Sequence, residues 1–467
     1  MNHCSYTGGK EDRIADTEHE IGRLSAGEGS SWHRWLDAHA NRELGVGAPR
    51  GGWRHPPSRA AVDALLEELG RPQYRFRRVI VAGTNGKTTV TRTISALLQG
   101  AGLRVGTYTS PHLERLNERI AVNGVAIPDQ ALARAFARIR VAETKMNLGL
   151  SWFEIVTAAA MTWFAWEQLD LAVIEVGLGG EYDATAVAMP APVVLTNIEL
   201  DHTELFGDSR PEVAAAEATV VSANHGLVLG ETDALLRDCF TRRHPQPLWV
   251  RGVDFGVLER RATAEGQLLT LKTPTAIYRD VPVTLRGSAH AENLGLALMA
   301  AECVARPIPE SVVRQVLPAM SSPGRAELVS MEPPVLLDGA HNPAGARALA
   351  ALLAECFPAD RRTFVIGVSA DKPAAELVSD LQIRHDDRVL CCSADSPRAR
   401  HATDLAEIAR VASPASAIES VDSVDDALRR AIAASSHPEF VVVTGSLYVV
   451  AEARRMLRDS LDPSCPS

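Results

Sequence analysis

A run of β-branched apolar residues, Val79-Ile80-Val81-Ala82, stops at Gly83-Thr84-Asn85-Gly86-Lys87-Thr88-Thr89 and gives way to a helix-compatible stretch, Val90 to Gln99. That order reads as a buried strand, a short loop and a helix N-terminus. The free N–H groups and the helix dipole at such a start hold an anion. Lys87 adds a point charge for the β- and γ-phosphates of a nucleotide, and a threonine hydroxyl reaches Mg²⁺. The strict phosphate-loop pattern sets four residues between its glycines, and here only Thr84 and Asn85 separate Gly83 from Gly86. An ordinary tight strand-to-helix turn accounts for the glycines. It does not account for a lysine and two hydroxyls gathered at one helix start.

The chain has 467 residues, which calls for two or three domains. It is 46% hydrophobic and 23% charged, as expected of a soluble globular protein. With a net charge of −10, nucleic-acid binding would need a local basic stripe, and the sequence shows none of any length. The seven cysteines are odd in number and form no CxxC. This argues for a reducing, cytoplasmic setting and against a disulfide framework or zinc ribbon. The polar, acidic N-terminus has no apolar signal-peptide core. The most apolar stretch, Phe153 to Trp166, is short and carries Glu154, so it reads as a buried helix and not a membrane span.

Residues 1–30, rich in Gly, Ser, Glu and Asp, read as a loosely ordered extension. Helical patterns follow at Trp32–Leu44 and Pro56–Leu69, the second stopped by Gly70. Strands are expected at Arg104–Thr109, Leu171–Val176 and Val193–Ile198, and helices at Pro128–Lys145 and Trp152–Gln168. Each strand delivers polar residues at its C-terminal end, the edge where ligands bind in an open α/β sheet. From Val257 to Leu285 alternating segments suggest a small antiparallel patch, and Asn293–Val304 a helix. Pro318–Pro323 reads as a linker. Beyond it four strands recur, near Val335–Leu337, Thr363–Val368, Arg388–Cys392 and Phe440–Thr444, with helical patterns after them. The expected organisation is therefore an extension (1–30), a nucleotide-binding α/β domain with a small antiparallel β patch (31–317), and a smaller C-terminal Rossmann-like α/β domain (323–467), with a site between the two.

These residues resemble the folylpolyglutamate synthase/dihydrofolate synthase family of the Mur ligase superfamily. The likeness is carried in order by Gly83-Thr84-Asn85-Gly86-Lys87, Ser110-Pro111-His112-Leu113 with Asn117-Glu118-Arg119-Ile120, and Glu175-Val176-Gly177-Leu178-Gly179-Gly180 with Asp183-Ala184-Thr185. It continues through Leu200-Asp201-His202, Pro323-Gly324-Arg325, Asp338-Gly339-Ala340-His341-Asn342-Pro343, Asp371-Lys372 and Thr444-Gly445-Ser446-Leu447-Tyr448. It spans about residues 60–455. The resemblance implies an ATP-dependent amide ligase joining L-glutamate to dihydropteroate or to a folate carboxylate through an acyl phosphate. It implies ATP and Mg²⁺ as cofactors, small-molecule partners only, no nucleic acid or membrane, and a monomer.

By the same resemblance, Gly83, Thr84, Asn85, Gly86, Lys87, Thr88 and Thr89 would hold the phosphates. Thr88, Ser110, Glu175 and His202 would hold metal, and Asn293, Arg325, Asp338 and His341 would close on the nucleotide, with Ser446 and Tyr448 toward the amino acid. Taken alone, Asn293 and Asp338 read equally well as helix caps. After Leu-Asp-His the family usually carries a lysine that becomes a carbamate on the second magnesium. Aligned from Asp201, that position is Glu217, whose carboxylate would take the carbamate's place; the bland alternative is a second metal site that is weakened or lost. Lys87, His202 and Glu217 are thus the expected catalytic residues. The usual His-Gln pair before Asn293 reads Ala289-His290. These departures leave two other readings: a Mur-type ligase for a different carboxylate or amino acid, and an inactive nucleotide-binding regulatory paralogue.

Overall fold

The computed structural model describes residues 31–46, 59–305, 307–358, 361–415, 417–434 and 439–461; the expected extension, 1–30, lies outside them. The first sheet is built from β1 (Arg77–Ala82), β2 (Val105–Tyr108), β3 (Ile120–Val122), β4 (Val125–Ala126), β5 (Leu171–Glu175), β6 (Val193–Leu195), β7 (Leu227–Leu229) and β8 (Leu248–Val250). Its order is β4-β3-β2-β5-β1-β6-β7-β8. The run from β2 to β8 is parallel. At one edge β3 and β4 form an antiparallel hairpin. The Asn123-Gly124 turn, positive in φ at both residues, matches the twist of that hairpin.

β1 lies between β5 and β6 and is covered on both faces, which is why its sequence is continuously apolar and not alternating. Ile80 and Ala82 face a core made with helices Ala60–Glu68, Asp129–Met146 and Trp152–Trp166. Val79 and Val81 face a second core made with helices Lys87–Gly100 and Ser288–Val304. The antiparallel patch is three-stranded, β9 (Gly256–Thr263), β10 (Gly266–Lys272) and β11 (Ile277–Val283), and it closes that second core.

The second sheet contains β12 (Glu327–Met331), β13 (Pro334–Leu337), β14 (Arg361–Ile366), β15 (Arg388–Cys392), β16 (Ala417–Val421) and β17 (Glu439–Thr444) in the order β12-β13-β17-β14-β15-β16. All neighbours are parallel except β12, an antiparallel edge. Two of its strands, β12 and β16, escape the sequence pattern because they are partly polar edge strands with only one strand neighbour. Local expectations change in places: the helix expected over Asn293–Val304 begins earlier, at Ser288. The helix expected over Trp32–Leu44 is Ser31–Asp37, and Asn41 and Val46 then close a tight loop through two backbone hydrogen bonds of 2.9 Å. The expected linker begins later, because helix Glu310–Ala319 runs through Pro318 and ends one residue beyond it. The C-terminal ends of β1, β2, β5 and β6 face those of β13, β14 and β17 across one cleft.

Candidate active site

The loop after β1 is shaped by its neighbour β6. Thr84 N–H donates to the Asn197 carbonyl (2.9 Å), and the Asn197 side chain bonds both the N–H and the carbonyl of Asn85, each at 3.1 Å. Gly86 sits at φ 83°, and a Cβ there would lie 2.6 Å from both amide atoms of Asn293. Asn293 is therefore a wall of the loop, inside helix Ser288–Val304, and not a cap. Lys87 opens the following helix; its ammonium is folded back onto the carbonyls of Gly83 (2.7 Å) and Thr84 (3.2 Å). The Thr89 hydroxyl meets Ser322 Oγ, in the segment after helix Glu310–Ala319, in a buried contact of 2.9 Å.

Glu175, the last residue of β5, is 1% exposed. The Thr88 hydroxyl lies 3.0 Å from each of its oxygens, and Ser110 N–H donates to one of them at 3.2 Å. Burial pushes its carboxyl up to about 7, against the opposing pull of Lys87, Thr88 and Ser110. A buried carboxylate and a hydroxyl beside a phosphate-sized loop form half of a hard-cation site, the rest of which phosphate and water supply.

Glu217 ends helix Arg210–Glu217 and is buried beside the loop, near Gly83 and Lys87. One of its oxygens is buried without a hydrogen-bond partner among the described residues. Burial raises its carboxyl; Lys87 and the Gly83 N–H pull it back, while Asp183 adds to the rise. A desolvated carboxylate oxygen left unsatisfied in a cleft is costly unless something cationic meets it. Among the described residues no three His, Cys, Asp or Glu side chains converge as a metal cluster. The predicted metal residues instead fall into groups: Thr88, Ser110 and Glu175 together, Glu217 beside Gly83 and Lys87, and His202 with Asp201 (3.9 Å) and Glu204 (3.7 Å).

Across the cleft, Arg325 Nη1 donates to the Gly339 carbonyl at 2.6 Å, and Asp338 accepts from the N–H groups of Ala326 (2.8 Å) and Ala340 (2.9 Å). The cap of helix Pro343–Cys356 is Asn342, not Asp338. His341 turns its Nε2 toward Asp201 at 3.4 Å. Lys372 pairs with the same carboxylate. Burial opposes ionisation of Asp201, but the His341 hydrogen bond and the charges around it hold the carboxyl well below its usual range. Asn342 also reaches the phosphate loop, at Asn85 Oδ1, 3.1 Å away. Asn197, Asn342, Asp201 and Lys372 were not singled out as site residues. The last three stand in motifs that the sequence shows, whereas Asn197 carries no signal, because only strand order places it against the loop.

Together these residues line a cleft of about 1290 Å³. Beside Glu175 its wall turns apolar and aromatic, with Phe153, Leu178, Tyr182 and Phe206. His290 lines it too, its Nδ1 tied to the Arg286 carbonyl at 2.9 Å, and burial lowers its pKa.

Residues 81–301 match the Mur ligase middle domain and residues 324–447 the Mur ligase glutamate ligase domain. The chain is similar to the dihydrofolate synthase/folylpolyglutamate synthase of Bacillus subtilis, at 32% identity over 86% of this chain and 95% of that protein. Its fold is similar to that of Mycobacterium tuberculosis folylpolyglutamate synthase complexed with ADP and AMPPCP, with a TM-score of 0.81, 31% identity and coverage of 86% and 95%. It is also similar to the bifunctional folylpolyglutamate synthase/dihydrofolate synthase of Yersinia pestis complexed with AMPPNP and Mn ion, with a TM-score of 0.79, 29% identity and coverage of 93% and 99%.

Proposed function

The chain belongs to the folylpolyglutamate synthase/dihydrofolate synthase family of Mur ligases, and from that membership and the cleft we infer that it joins L-glutamate to dihydropteroate, to a folate γ-carboxylate, or to both. It is an ATP-dependent carbon–nitrogen ligase of folate metabolism. The observation that carries the reading is the phosphate loop at Gly83–Thr89 facing Arg325, Asp338 and His341 across a single cleft that holds the buried Glu175–Thr88 pair.

The reaction has two steps. An acceptor carboxylate oxygen attacks the γ-phosphorus, the bond to the β-phosphate oxygen breaks, and ADP leaves. The glutamate amine then attacks the acyl phosphate carbon, phosphate departs and the nitrogen loses a proton. The protein contributes position and charge in both. Lys87 turns from its own loop carbonyls onto the phosphates, while loop N–H groups and Arg325 neutralise the transferring group. Asp338 would receive the ribose hydroxyls, and Asn293, beside the loop, would contact the nucleotide. The aromatic wall around Phe153 suits a flat heteroaromatic acceptor next to Glu175.

The donor set fits a hard divalent ion, and we assign it to Mg²⁺. Thr88, Ser110 and Glu175 would hold one ion. Glu217, whose buried oxygen has no partner among the described residues, would meet a second ion in the role of the family's carbamylated lysine, and His202 would reach that ion from its own group with Asp201 and Glu204. Such ions shield phosphate charge from the incoming carboxylate. We divide the chain into a nucleotide-binding domain over 31–317 and a second domain over 323–467, and read the protein as a cytoplasmic monomer; the family matches on either side of residue 320 support the division.

The test is phosphate release from ATP with mass spectrometry of the products, offering dihydropteroate plus glutamate and, separately, a reduced folate plus glutamate. A product heavier by one glutamyl unit, formed only with ATP and Mg²⁺, is expected. ATP binding without product in either mixture moves the activity to another acceptor acid. Absence of nucleotide binding overturns the reading.

A further inference from the structure

The loop between Asn41 and Val46 joins the two halves of the molecule through one residue. The Glu43 carboxylate holds Arg119 with both oxygens, one contact at 2.9 Å, and the Arg119 side chain is 0% exposed. Arg119 is also fixed by His112 Nδ1 at 2.8 Å and by the Trp152 ring 4.8 Å from its guanidinium carbon. The Glu43 backbone carbonyl faces the other way. It accepts from Arg398 Nη1 and from the Tyr448 hydroxyl, both at 2.8 Å and both from the second sheet's half.

Each end of this clasp leads into the reacting cleft by direct contacts. The Arg119 carbonyl accepts from Thr109 N–H (2.9 Å), the residue before Ser110, whose own N–H donates to Glu175. Arg398 holds the carboxylate of Asp371 at 2.5 Å, and the next residue, Lys372, pairs with Asp201. Glu43 and Tyr448 also line both the cleft and a second cavity of about 1660 Å³, so the loop is the partition between them.

We propose that Glu43 is a positioning residue for the ligation: it ties Arg119 on the first half to Arg398 and Tyr448 on the second and so holds the two walls of the cleft at reacting distance. Among the described residues none of its hydrogen bonds or ion pairs involves the nucleotide loop. It acts on the population of the closed arrangement, and the chemistry sees only that population. This rests on the ligase reading for its kinetic arm, but its structural arm does not.

Glu43→Gln would leave the buried Arg119 without its counter-charge and would mix a folding defect with a positioning one, so the test uses the opposite end of the clasp. Tyr448→Phe, Arg398→Gln and the double variant remove only side-chain donors to the Glu43 carbonyl and, for Arg398, the Asp371 pair. The measurements are kcat and KM for all three substrates, the melting temperature, and small-angle scattering with and without AMPPNP and Mg²⁺. Tyr448→Phe should lower kcat about fivefold, the worth of one hydrogen bond, with KM values unchanged. The double variant should lose more than about tenfold, and its free form should have a larger radius of gyration than the parent. Unchanged kcat and scattering in the double variant overturn the proposal. So does a selective rise in one KM at constant kcat, which would mark Tyr448 or Arg398 as a substrate contact. A fall in melting temperature that tracks kcat without expansion overturns it as well, since the loop would then only stabilise the fold. If the parent itself forms no ligation product, the ligase reading fails while scattering still judges the clasp.

Discussion

Replacing Glu175 by glutamine should make the ligand-free protein more stable at alkaline pH while disabling it. The carboxyl stands at about 7 in the fold against an ordinary value of 4.5. The native state therefore binds this proton more tightly than the unfolded chain does. Its stabilising contribution is complete below about pH 4.5 and is lost as pH rises through about 7. A shift of that size corresponds to about 3 kcal/mol at pH 8. Glutamine carries no charge to bury, but it presents one acceptor oxygen where Thr88 and Ser110 now find two. An opposed or missing hydrogen bond returns about 1 kcal/mol. The net expectation is a gain of about 2 kcal/mol at pH 8 that shrinks to nothing near pH 5. Urea unfolding in EDTA, without nucleotide, measures it, and all seven tryptophans precede residue 250, so their fluorescence reports the half that holds Glu175. The same variant should lose turnover on the order of a hundredfold. A variant less stable than the parent at pH 8, or a stability gap that does not change with pH, would refute the reasoning.

Gly86→Ala forces a side chain into a left-handed conformation and against Asn293; calorimetry should show ADP affinity reduced at least about tenfold, at a cost of about 1–2 kcal/mol in stability. Glu217→Gln should cut turnover and move the Mg²⁺ titration to higher concentration; identical turnover and metal dependence would remove Glu217 from the metal site. Asp201→Asn leaves Lys372, 10% exposed, without its counter-charge, a loss on the order of 3 kcal/mol near neutrality. Because the Asp201 carboxyl is held far below the ordinary aspartate value of 3.8, that contribution is full above about pH 4 and fades as pH falls through the folded value. Acid titration of parent and variant should show the gap closing only at very low pH.

What the sequence made legible followed its strongest periodicities. β1, β5, β15 and β17 carry unbroken apolar runs because both faces of a parallel sheet are covered, and the C-terminal ends of β1, β2, β5, β14 and β17 supply polar residues that reach the cleft. β7 and β8 are three residues each and too short to carry a pattern. β12 and β16 lie at sheet edges, where one-sided pairing tolerates Glu327 and Glu419. At the site, Lys87, Thr88 and Glu175 could be placed from local order alone, since strand, loop and helix dictate where they point. Lys372 and Asp201 could not be paired in advance, because 171 residues separate them and only the packing of two sheets joins them. The clasp at Glu43 was invisible for a related reason. Two of its contacts use a backbone carbonyl, which every residue owns and no motif records.

The strand order of the second sheet has a consequence for how the molecule comes into being. The last strand, β17, is inserted between β13 and β14, so more than a hundred residues of chain must emerge before those two strands gain their shared neighbour. The first sheet, by contrast, is complete once β8 has left the ribosome. With domains folding as units during synthesis, the phosphate loop is in place long before Arg325 and Asp338 have a wall to stand on. A nascent or truncated chain ending before Phe440 would present the nucleotide-loop half of the cleft and lack the half that closes over it.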